Sequence, residues 1–556
     1  MRKAKNVPRE DFVSDETLGD LLDKCIRDHP DNDALVYVDR DFRLTWAQFG
    51  VEVDRVAKGM MAMGVKKGDK IGMWATNVPD WIVLMFATAR IGAILLTINT
   101  NYQSEELDYV LRQSDMDYLF LIHGVRDTDY VEMVYTLVPE LRIHPRDAVS
   151  SETYPSLKKV VFLGPQKLRG MYSISEVKSL AVQVSDEEYE GRKASVDVHD
   201  VVMMQYTSGT TGFPKGVMLT HHNIANNGYW VGVNMDYTHE DRVCLPVPLF
   251  HCFGCVLGVM ACINHASTMV LCEKFDPVDV MTSVETERCT SLYGVPTMFI
   301  AIMNHRLFDK FDMSSLRTGI MAGSPCPIKT MEEVVEKLNM SEVTIVYGLT
   351  ESSPGMTQTR WHETSLEKKC TTVGPAMQGV ETEILDPETG EICPPGTIGE
   401  FCCRGFNVMK GYYKMPEETA KTIDADGWLH SGDLGYKDED GYFVVTGRIK
   451  DMIIRGGENI YPKEVEDFLY GMEGIRDVQV VGVPSKKYGE QPGAFIVRSE
   501  GSDITEQDVD EYCKGRIAWY KTPKYIAFLD HFPMTASGKI MKYKLREMAE
   551  ELWPDA

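Results

Sequence analysis

The chain has 556 residues, enough for three or four structural units at roughly 100–200 residues each. Hydrophobic residues make up 44% and charged residues 25%, ordinary globular proportions that exclude a disordered or fibrous chain. With 58 Lys and Arg against 83 Asp and Glu, the net charge of −25 excludes a sequence-independent nucleic-acid binder, so any polyanion must be held at a small local site.

The first segment, MRKAKNVPREDF, lacks the apolar run of a secretory signal and the length of an Arg/Ser-rich transit peptide. The 13 cysteines are odd in number and scattered, which argues for a reducing compartment, and a cytoplasmic location is expected. From Thr45 to Met63, Trp46, Phe49, Val53, Val56 and Met60 recur at helical spacing. Thr45 with Gln48 makes a capping box there, and Gly64 is the stop. Trp81 to Ile98 is largely apolar, but Arg90 interrupts it and Pro79-Asp80 precede it. It reads as a buried helix over 79–91 and a strand over 93–98, because a membrane span needs ~20 apolar residues. Further strands are predicted at Ile71–Ala75, Tyr118–Ile122, Val160–Leu163, Val201–Tyr206 and Thr268–Leu271. Strands alternating with helices predict an α/β fold, a large N-terminal domain of layered subdomains with mostly parallel sheets. The acidic segment Ser185–Asp200 reads as a surface connection.

Near residue 447 the character changes. Strands at Val478–Val483, Ala494–Val497 and Tyr525–Leu529, with helices at Thr505–Ile517 and Ile540–Leu552, predict a separate small α+β domain. The expected domains are 1–449 and 450–556.

The sharpest local signal is Tyr206-Thr-Ser-Gly-Thr-Thr-Gly-Phe-Pro-Lys-Gly216. Glycines let backbone N–H groups approach phosphate oxygens, the hydroxyls add donors, and a lysine adds a point charge. The spacing is not that of G-x-x-x-x-G-K-[ST]. Tyr347-Gly-Leu-Thr-Glu-Ser352 follows an apolar run, and beside a triphosphate its Glu351 is a hard oxygen ligand for Mg²⁺. Ser431-Gly-Asp-Leu-Gly-Tyr436 carries Asp433, an acceptor for ribose hydroxyls. Gly447 to Glu464 crosses the domain boundary, and Thr535-Ala-Ser-Gly-Lys539 is a lysine on a glycine loop. Cys252-Phe-Gly-Cys255 is the only C-x-x-C and has no second pair to complete a zinc site, so it reads as a buried turn. Cys402-Cys403 reads as strand, and His221-His222 as the cap of the next helix.

Together and in this order, these segments resemble the superfamily of adenylate-forming enzymes: acyl-CoA synthetases, nonribosomal-peptide adenylation domains and luciferases. The resemblance runs from about residue 15 to 550. Lys450-Asp-Met-Ile-Ile-Arg-Gly-Gly-Glu-Asn-Ile-Tyr-Pro is similar to the medium-chain fatty acyl-CoA synthetases of the acyl-CoA synthetase family member 2 type and their bacterial relatives. Pro248-Leu-Phe-His-Cys-Phe-Gly254, Tyr293-Gly-Val-Pro-Thr-Met298 and Ala322-Gly-Ser-Pro325 fit that group too.

The resemblance implies a mobile C-terminal domain and an activity that joins a carboxylic acid to coenzyme A, with ATP and CoA as co-substrates and Mg²⁺ as cofactor. It implies that Thr207, Ser208, Gly209, Thr210, Thr211, Gly212 and Lys215 hold the β- and γ-phosphates. Gly323, Ser324 and Pro325 with Tyr347 and Gly348 match the adenine strips. Thr350 matches the α-phosphate contact, Glu351 the Mg²⁺ ligand, Asp433 the ribose aspartate and Arg448 its arginine. Lys450 falls at the hinge, Gly456 and Gly457 at the CoA tunnel, and Lys539 matches the adenylation lysine. The loop Met534-Thr-Ala-Ser-Gly-Lys539 departs from the Pro-Lys-Thr-x-x-Gly-Lys of many relatives but keeps the glycine and lysine. His251 matches the gate between acyl pocket and nucleotide; Trp230, Phe253 and Val295 are further candidates for the pocket. The expected partners are small molecules, without nucleic acid or a membrane span, in a monomer or homodimer. A carrier-protein thiol as acceptor, a luciferase-type oxidation and a non-catalytic nucleotide sensor are the other readings. The acid is medium-chain by resemblance, with short-chain, alicyclic and aromatic acids open.

Overall fold

The computed structural model describes residues 12–554 apart from 148–149, 208–213, 324–325, 327, 363–364, 456–457, 515 and 536–539. Its chain divides into two compact units, one of 1–382 with 403–429 and one of 383–402 with 430–556. The antiparallel pair Leu429–Lys437 and Phe443–Arg448 continues the sheet that holds Gly399–Gly405.

The first unit is built on two large sheets. In one, the strands Glu342–Thr344, Thr318–Met321, Ser291–Gly294, Arg242–Leu245, Thr268–Leu271 and Asp33–Tyr37 follow in spatial order, all parallel, and Phe42–Thr45 closes the edge antiparallel. In the other, Val201–Thr207, Ile94–Thr97, Lys70–Trp74, Tyr118–Leu121, Lys159–Phe162 and Tyr172–Ser173 are parallel neighbours. Lys215–Thr220 and Gly411–Tyr412 extend its edge antiparallel. The mostly parallel α/β expectation therefore holds, and the strands are the apolar runs that the sequence presents.

The helix Trp46–Ala62 starts where its capping box predicts: the Thr45 side chain accepts from the Gln48 N–H, and the Gln48 side chain accepts from Thr45. Pro79–Arg90 is a helix buried from Trp81 to Arg90, which explains its apolar circumference. Arg90, 3% exposed, is no defect in it, since its guanidinium is held by Asp54 and Asp23. Tyr189 donates to the same Asp54 at 2.5 Å. Tyr189 lies in a helix, Asp186–Lys193, where the sequence suggests only a surface connection. Ser185 caps that helix, and a single buried tyrosine ties it down, too little apolar signal to register as periodicity. Thr220, not His221 or His222, caps the helix His221–Val233.

The second unit's sheet holds Glu458–Ile460, Ile453–Arg455, Gly489–Arg498 and Ile475–Ser485, with Tyr525–Phe528 parallel to Gly489–Arg498. Val478, Val480, Ala494 and Ile496 pack with Val465 and Leu469 of the helix Pro462–Tyr470 and with Val509 of Glu506–Cys513. The alternate residues Val481, Val483, Phe495 and Val497 pack with Leu545 and Ala549 of Lys542–Leu552. Period-two alternation thus buries both faces, which is the α+β domain expected.

Asn77 ties the two large sheets together. It follows the strand Lys70–Trp74 of one sheet, and its side-chain amide donates to the carbonyls of Val247 at 2.9 Å and Cys272 at 3.1 Å beyond strands of the other. Its Oδ1 accepts from the Leu249 N–H at 2.9 Å. Asn77→Leu keeps the volume and strands these buried groups, so it should cost roughly 2–3 kcal/mol. Urea unfolding followed by tryptophan fluorescence checks this; an unchanged midpoint would show that the backbone groups find other partners.

Candidate active site

The parallel strands Arg242–Leu245, Ser291–Gly294, Thr318–Met321 and Glu342–Thr344 run directly into segments that the sequence singles out. These are residues 246–251, Val295, Ala322–Gly323 and Tyr347–Glu351. The crevice beyond the carboxyl ends of parallel strands is where open α/β sheets bind ligands.

His251 sits in a tight turn. Gly254 and Cys255 donate their N–H groups to its carbonyl at 2.9 and 3.1 Å, opening the π-helix Phe253–Met260. A Cβ on Gly254 would lie 2.4 Å from the Pro248 carbonyl oxygen, so the backbone can close only on glycine. His251 Nδ1 accepts from the Phe253 N–H at 3.1 Å, which assigns the ring proton to Nε2. Cys252 Sγ lies 3.6 Å from that Nδ1 and 3.7 Å from Thr350 Oγ1, so the gate candidate and the α-phosphate candidate share one neighbour. Cys255 Sγ accepts from Gln205 Nε2 at 3.0 Å and donates to the His251 carbonyl at 3.4 Å. The two cysteines of the C-x-x-C thus both touch His251, Cys252 at Nδ1 and Cys255 at the carbonyl, and reach apart to Thr350 and Gln205.

The Phe253 ring stacks on Tyr293 at 5.8 Å. Val295 is the neighbour of Gly323: a Cβ there would meet Val295 Cγ1 at 3.1 Å. The recorded polar contact of Trp230 points elsewhere, its indole N–H donating to the Phe12 carbonyl at 3.1 Å. Gly348 is pressed against the strand that follows, since a Cβ would lie 1.8 Å from the Pro354 carbonyl oxygen. That contact fixes the backbone between Tyr347 and the short turn Thr350–Ser352.

Glu351 is 9% exposed, and its Oε1 accepts from the Tyr412 hydroxyl at 2.8 Å. Burial and the Glu351 charge push the Tyr412 phenol far above its ordinary pKa, so it remains a donor. Lys215 lies 4.9 Å above the same Tyr412 ring and pairs with Glu418 at 2.5 Å. Lys215, with Lys421, holds the Glu418 carboxylate down at about 2. Thr207 and Lys215 are cross-strand partners, which places the two ends of the intervening loop at one register position. Tyr412 reaches both groups because Gly411–Tyr412 pairs with the strand that Lys215 begins, Tyr412 opposite Val217. Tyr412 and Glu418 are absent from the sequence-derived set. The segment Lys410-Gly-Tyr-Tyr413 is their only local signal, and it says nothing of which strand it joins.

In the second unit Asp433 and Arg448 are cross-strand partners, Arg448 Nε standing 2.9 Å from Asp433 Oδ1. The Asp433 N–H donates to Ser431 Oγ at 3.0 Å. Lys450 is exposed on the 3-10 turn Ile449–Asp451, whose Asp451 is bonded to Arg546 of the last helix. Ser208, Gly209, Thr210, Thr211, Gly212, Ser324, Pro325, Gly456, Gly457 and Lys539 lie outside the described residues.

Comparisons with known proteins agree along the whole chain. The family model of AMP-binding enzymes matches residues 22–413, and that of the AMP-binding enzyme C-terminal domain matches 464–539. The YngI protein of Bacillus subtilis (strain 168) is 51% identical, covering 97% of this chain and 98% of its own. The mitochondrial medium-chain acyl-CoA ligase ACSF2 of Bos taurus is 38% identical, covering 97% of this chain and 88% of its own. The crystal structure of ATP-bound MatB from Rhodopseudomonas palustris superposes with a TM-score of 0.83 at 28% identity, covering 97% of this chain and all of that one. Among the described residues, no helix is long and apolar enough to cross a membrane.

The cytoplasmic expectation is corrected by the vertebrate relatives, which bear mitochondrial names. Unpaired buried cysteines separate a reducing from an oxidising compartment, but they do not separate cytosol from other reducing interiors. With both family models matched in order, and the strand-end residues gathered as they are, the chain belongs to the AMP-binding enzymes and is an AMP-forming acid–thiol ligase that uses ATP to activate a carboxylic acid as its acyl-adenylate.

Proposed function

We propose that the protein is a medium-chain acyl-CoA synthetase whose thiol acceptor is coenzyme A. The observation that carries the site is the line Glu351–Tyr412–Lys215, an acid and a base held on one tyrosine at the carboxyl end of a parallel sheet. The 51% and 38% relatives support the acyl-CoA reading over carrier-protein loading.

A carboxylate is a poor electrophile. In the first step its oxygen attacks the α-phosphorus of ATP, the bond to the β-phosphate oxygen breaks, and pyrophosphate leaves. In the second step the CoA thiol attacks the acyl carbonyl and AMP leaves. Neither step needs a nucleophilic side chain; both need charge held in place. Glu351 fits a Mg²⁺ ligand, being a nearly buried hard-oxygen donor that Tyr412 keeps in one orientation. A Mg²⁺ ion bound there would neutralise phosphate charge. Lys215 serves the departing pyrophosphate together with the loop 207–212, and Thr350 serves the α-phosphate. Tyr347, Gly348 and Gly323–Pro325 line the adenine site. Asp433 accepts from the ribose hydroxyls, and Arg448 orients that carboxylate or meets phosphate. His251 with Phe253, Val295 and Trp230 bounds the acyl end.

The two half-reactions need different groups over one adenylate. Residues 1–449 carry the acid and ATP sites, and 450–556 form the mobile domain, with Lys450 as the hinge. Lys539 serves adenylation, and Gly456-Gly457 lines the path of CoA.

ATP–pyrophosphate exchange should require a medium-chain acid but not CoA, whereas net AMP release should require CoA as well. A panel of aliphatic, alicyclic and aromatic acids scored both ways tests substrate and acceptor together; exchange that depends strictly on CoA would sink the two-step reading. Tyr412→Phe removes one hydroxyl and keeps the ring beneath Lys215. Exchange should slow by about 10-fold, the scale of one lost hydrogen bond to a charged group, and the Mg²⁺ dependence should move to higher concentration. A Mg²⁺ titration of the variant that overlays the wild type would remove Glu351 from the metal site. Lys539→Ala should lose exchange by about 10²–10³ and still convert prepared acyl-adenylate plus CoA to thioester. Equal loss of both steps would argue for one fixed arrangement.

A further inference from the structure

The second unit contains a cluster that the acid-activating chemistry does not use. Glu400 and Cys402 are i and i+2 on the strand Gly399–Gly405, so their side chains share one face of the sheet. His430 comes from the neighbouring strand Leu429–Lys437 and meets both. Its Nδ1 lies 2.8 Å from Glu400 Oε2 and 3.4 Å from Cys402 Sγ. The three ligand atoms all fall within 4.8 Å of one another. Cys402 is fully buried and Glu400 is 8% exposed, while the imidazole keeps a partly open side. Cys403, on the opposite face, takes a hydrogen bond from Asn407 and does not join the cluster.

We propose that Glu400, Cys402 and His430 form a binding site for a borderline transition-metal ion of the Zn²⁺ class. Sulfur, nitrogen and oxygen in one place is the donor set that such ions prefer, whereas Mg²⁺ demands oxygen alone. Zinc bond lengths at tetrahedral angles put nitrogen and oxygen about 3.3 Å apart, and nitrogen and sulfur about 3.6 Å. The observed nitrogen–oxygen and nitrogen–sulfur separations, 2.8 and 3.4 Å, lie within about half an ångström of those values, and the oxygen–sulfur pair, within 4.8 Å, has to close to about 3.6 Å, on two strands already paired. Three protein ligands leave the fourth position to water, on the side where His430 is exposed. Entry of the ion displaces protons to solvent: Sγ binds as the thiolate, and the imidazole binds through the Nδ1 lone pair with its one remaining proton on Nε2.

The site bears on the enzyme through Glu400. Its second oxygen, Oε1, accepts from the Gly432 N–H at 2.8 Å, one residue before Asp433. An ion on Oε2 therefore fixes the carboxylate that holds the Ser431–Asp433 turn, and the site acts as a structural tie for that turn.

Co²⁺ reports thiolate ligation by a charge-transfer band that oxygen-only sites do not give. The full-length protein, stripped with chelator, should develop that band on titration with Co²⁺ and saturate at about one ion per chain. Zn²⁺ should abolish the band, Mg²⁺ and ATP should leave it, and the metal should raise the unfolding midpoint. Cys402→Ser should lose the band and the midpoint shift, with an unchanged circular dichroism spectrum, while Cys370→Ser keeps both. Glu400→Gln preserves shape and removes the charge, so it should weaken Co²⁺ binding at least about 10-fold even if Cys402→Ser folds poorly. A band that survives Cys402→Ser, Glu400→Gln binding equal to wild type, or no band at saturating Co²⁺ overturns the proposal.

Discussion

Buried backbone groups at the ends of parallel strands are the constraint on which the first unit depends. Where a strand stops, its carbonyls lose their ladder partners but stay out of water, and each must be paired elsewhere. Asn77 meets that requirement with one side chain, donating to the carbonyls of Val247 and Cys272 and accepting from Leu249. Its own N–H donates to the Glu273 carbonyl at 3.2 Å. Because Leu249 is clamped, the turn that carries His251 is placed. Because the turn is placed, the π-helix after it starts where Cys252 can reach Thr350. A polar residue 3% exposed thus governs the geometry of groups that it does not touch.

Charge in the site is arranged by the same economy. Glu351 and Lys215 have opposite signs, and Tyr412 stands between them, its hydroxyl to one and its ring face to the other. The lysine's partner is Glu418, which is itself shared with Lys421. The Lys215–Glu418 pair is half-buried and orients the ammonium without drawing on the Glu351 charge. A carboxylate held by a neutral hydroxyl keeps its full charge for a cation. Both groups are therefore oriented without being spent.

The features legible in the sequence were those encoded locally. Period and cap located the helix Trp46–Ala62, and apolar runs located the parallel strands. The loop ending at Lys215 and the segment Tyr347–Glu351 were readable because their chemistry is concentrated in a few consecutive residues. Asn77, Tyr412 and Glu418 were not, since each acts only through a partner 61 or more positions away, as Tyr412 does on Glu351 and Glu418 does on Lys215 across 203. Asp186–Lys193 is illegible for a related reason, its one buried side chain, Tyr189, finding Asp54 across 135 positions. Cysteine spacing is silent in the same sense. The conspicuous pair, Cys252 and Cys255, stays local around His251, while Cys402 meets His430 across 28 positions by strand pairing.

An enzyme that makes an acyl-adenylate must keep a reactive mixed anhydride from its own nucleophiles. The thiolate is the attacking form of cysteine, and burial in apolar surroundings suppresses it. Cys255, beside the His251 turn, is wholly buried, and desolvation drives its thiol far up from its ordinary pKa. Cys252 is 2% exposed, so its sulfur is screened although it touches both His251 and Thr350. His251 spends Nδ1 on the Phe253 N–H and keeps its proton on Nε2, which leaves no free lone pair on that ring. The His251 turn thus carries two thiols and an imidazole without offering an efficient nucleophile. The thiol that completes the reaction then has to be the substrate's.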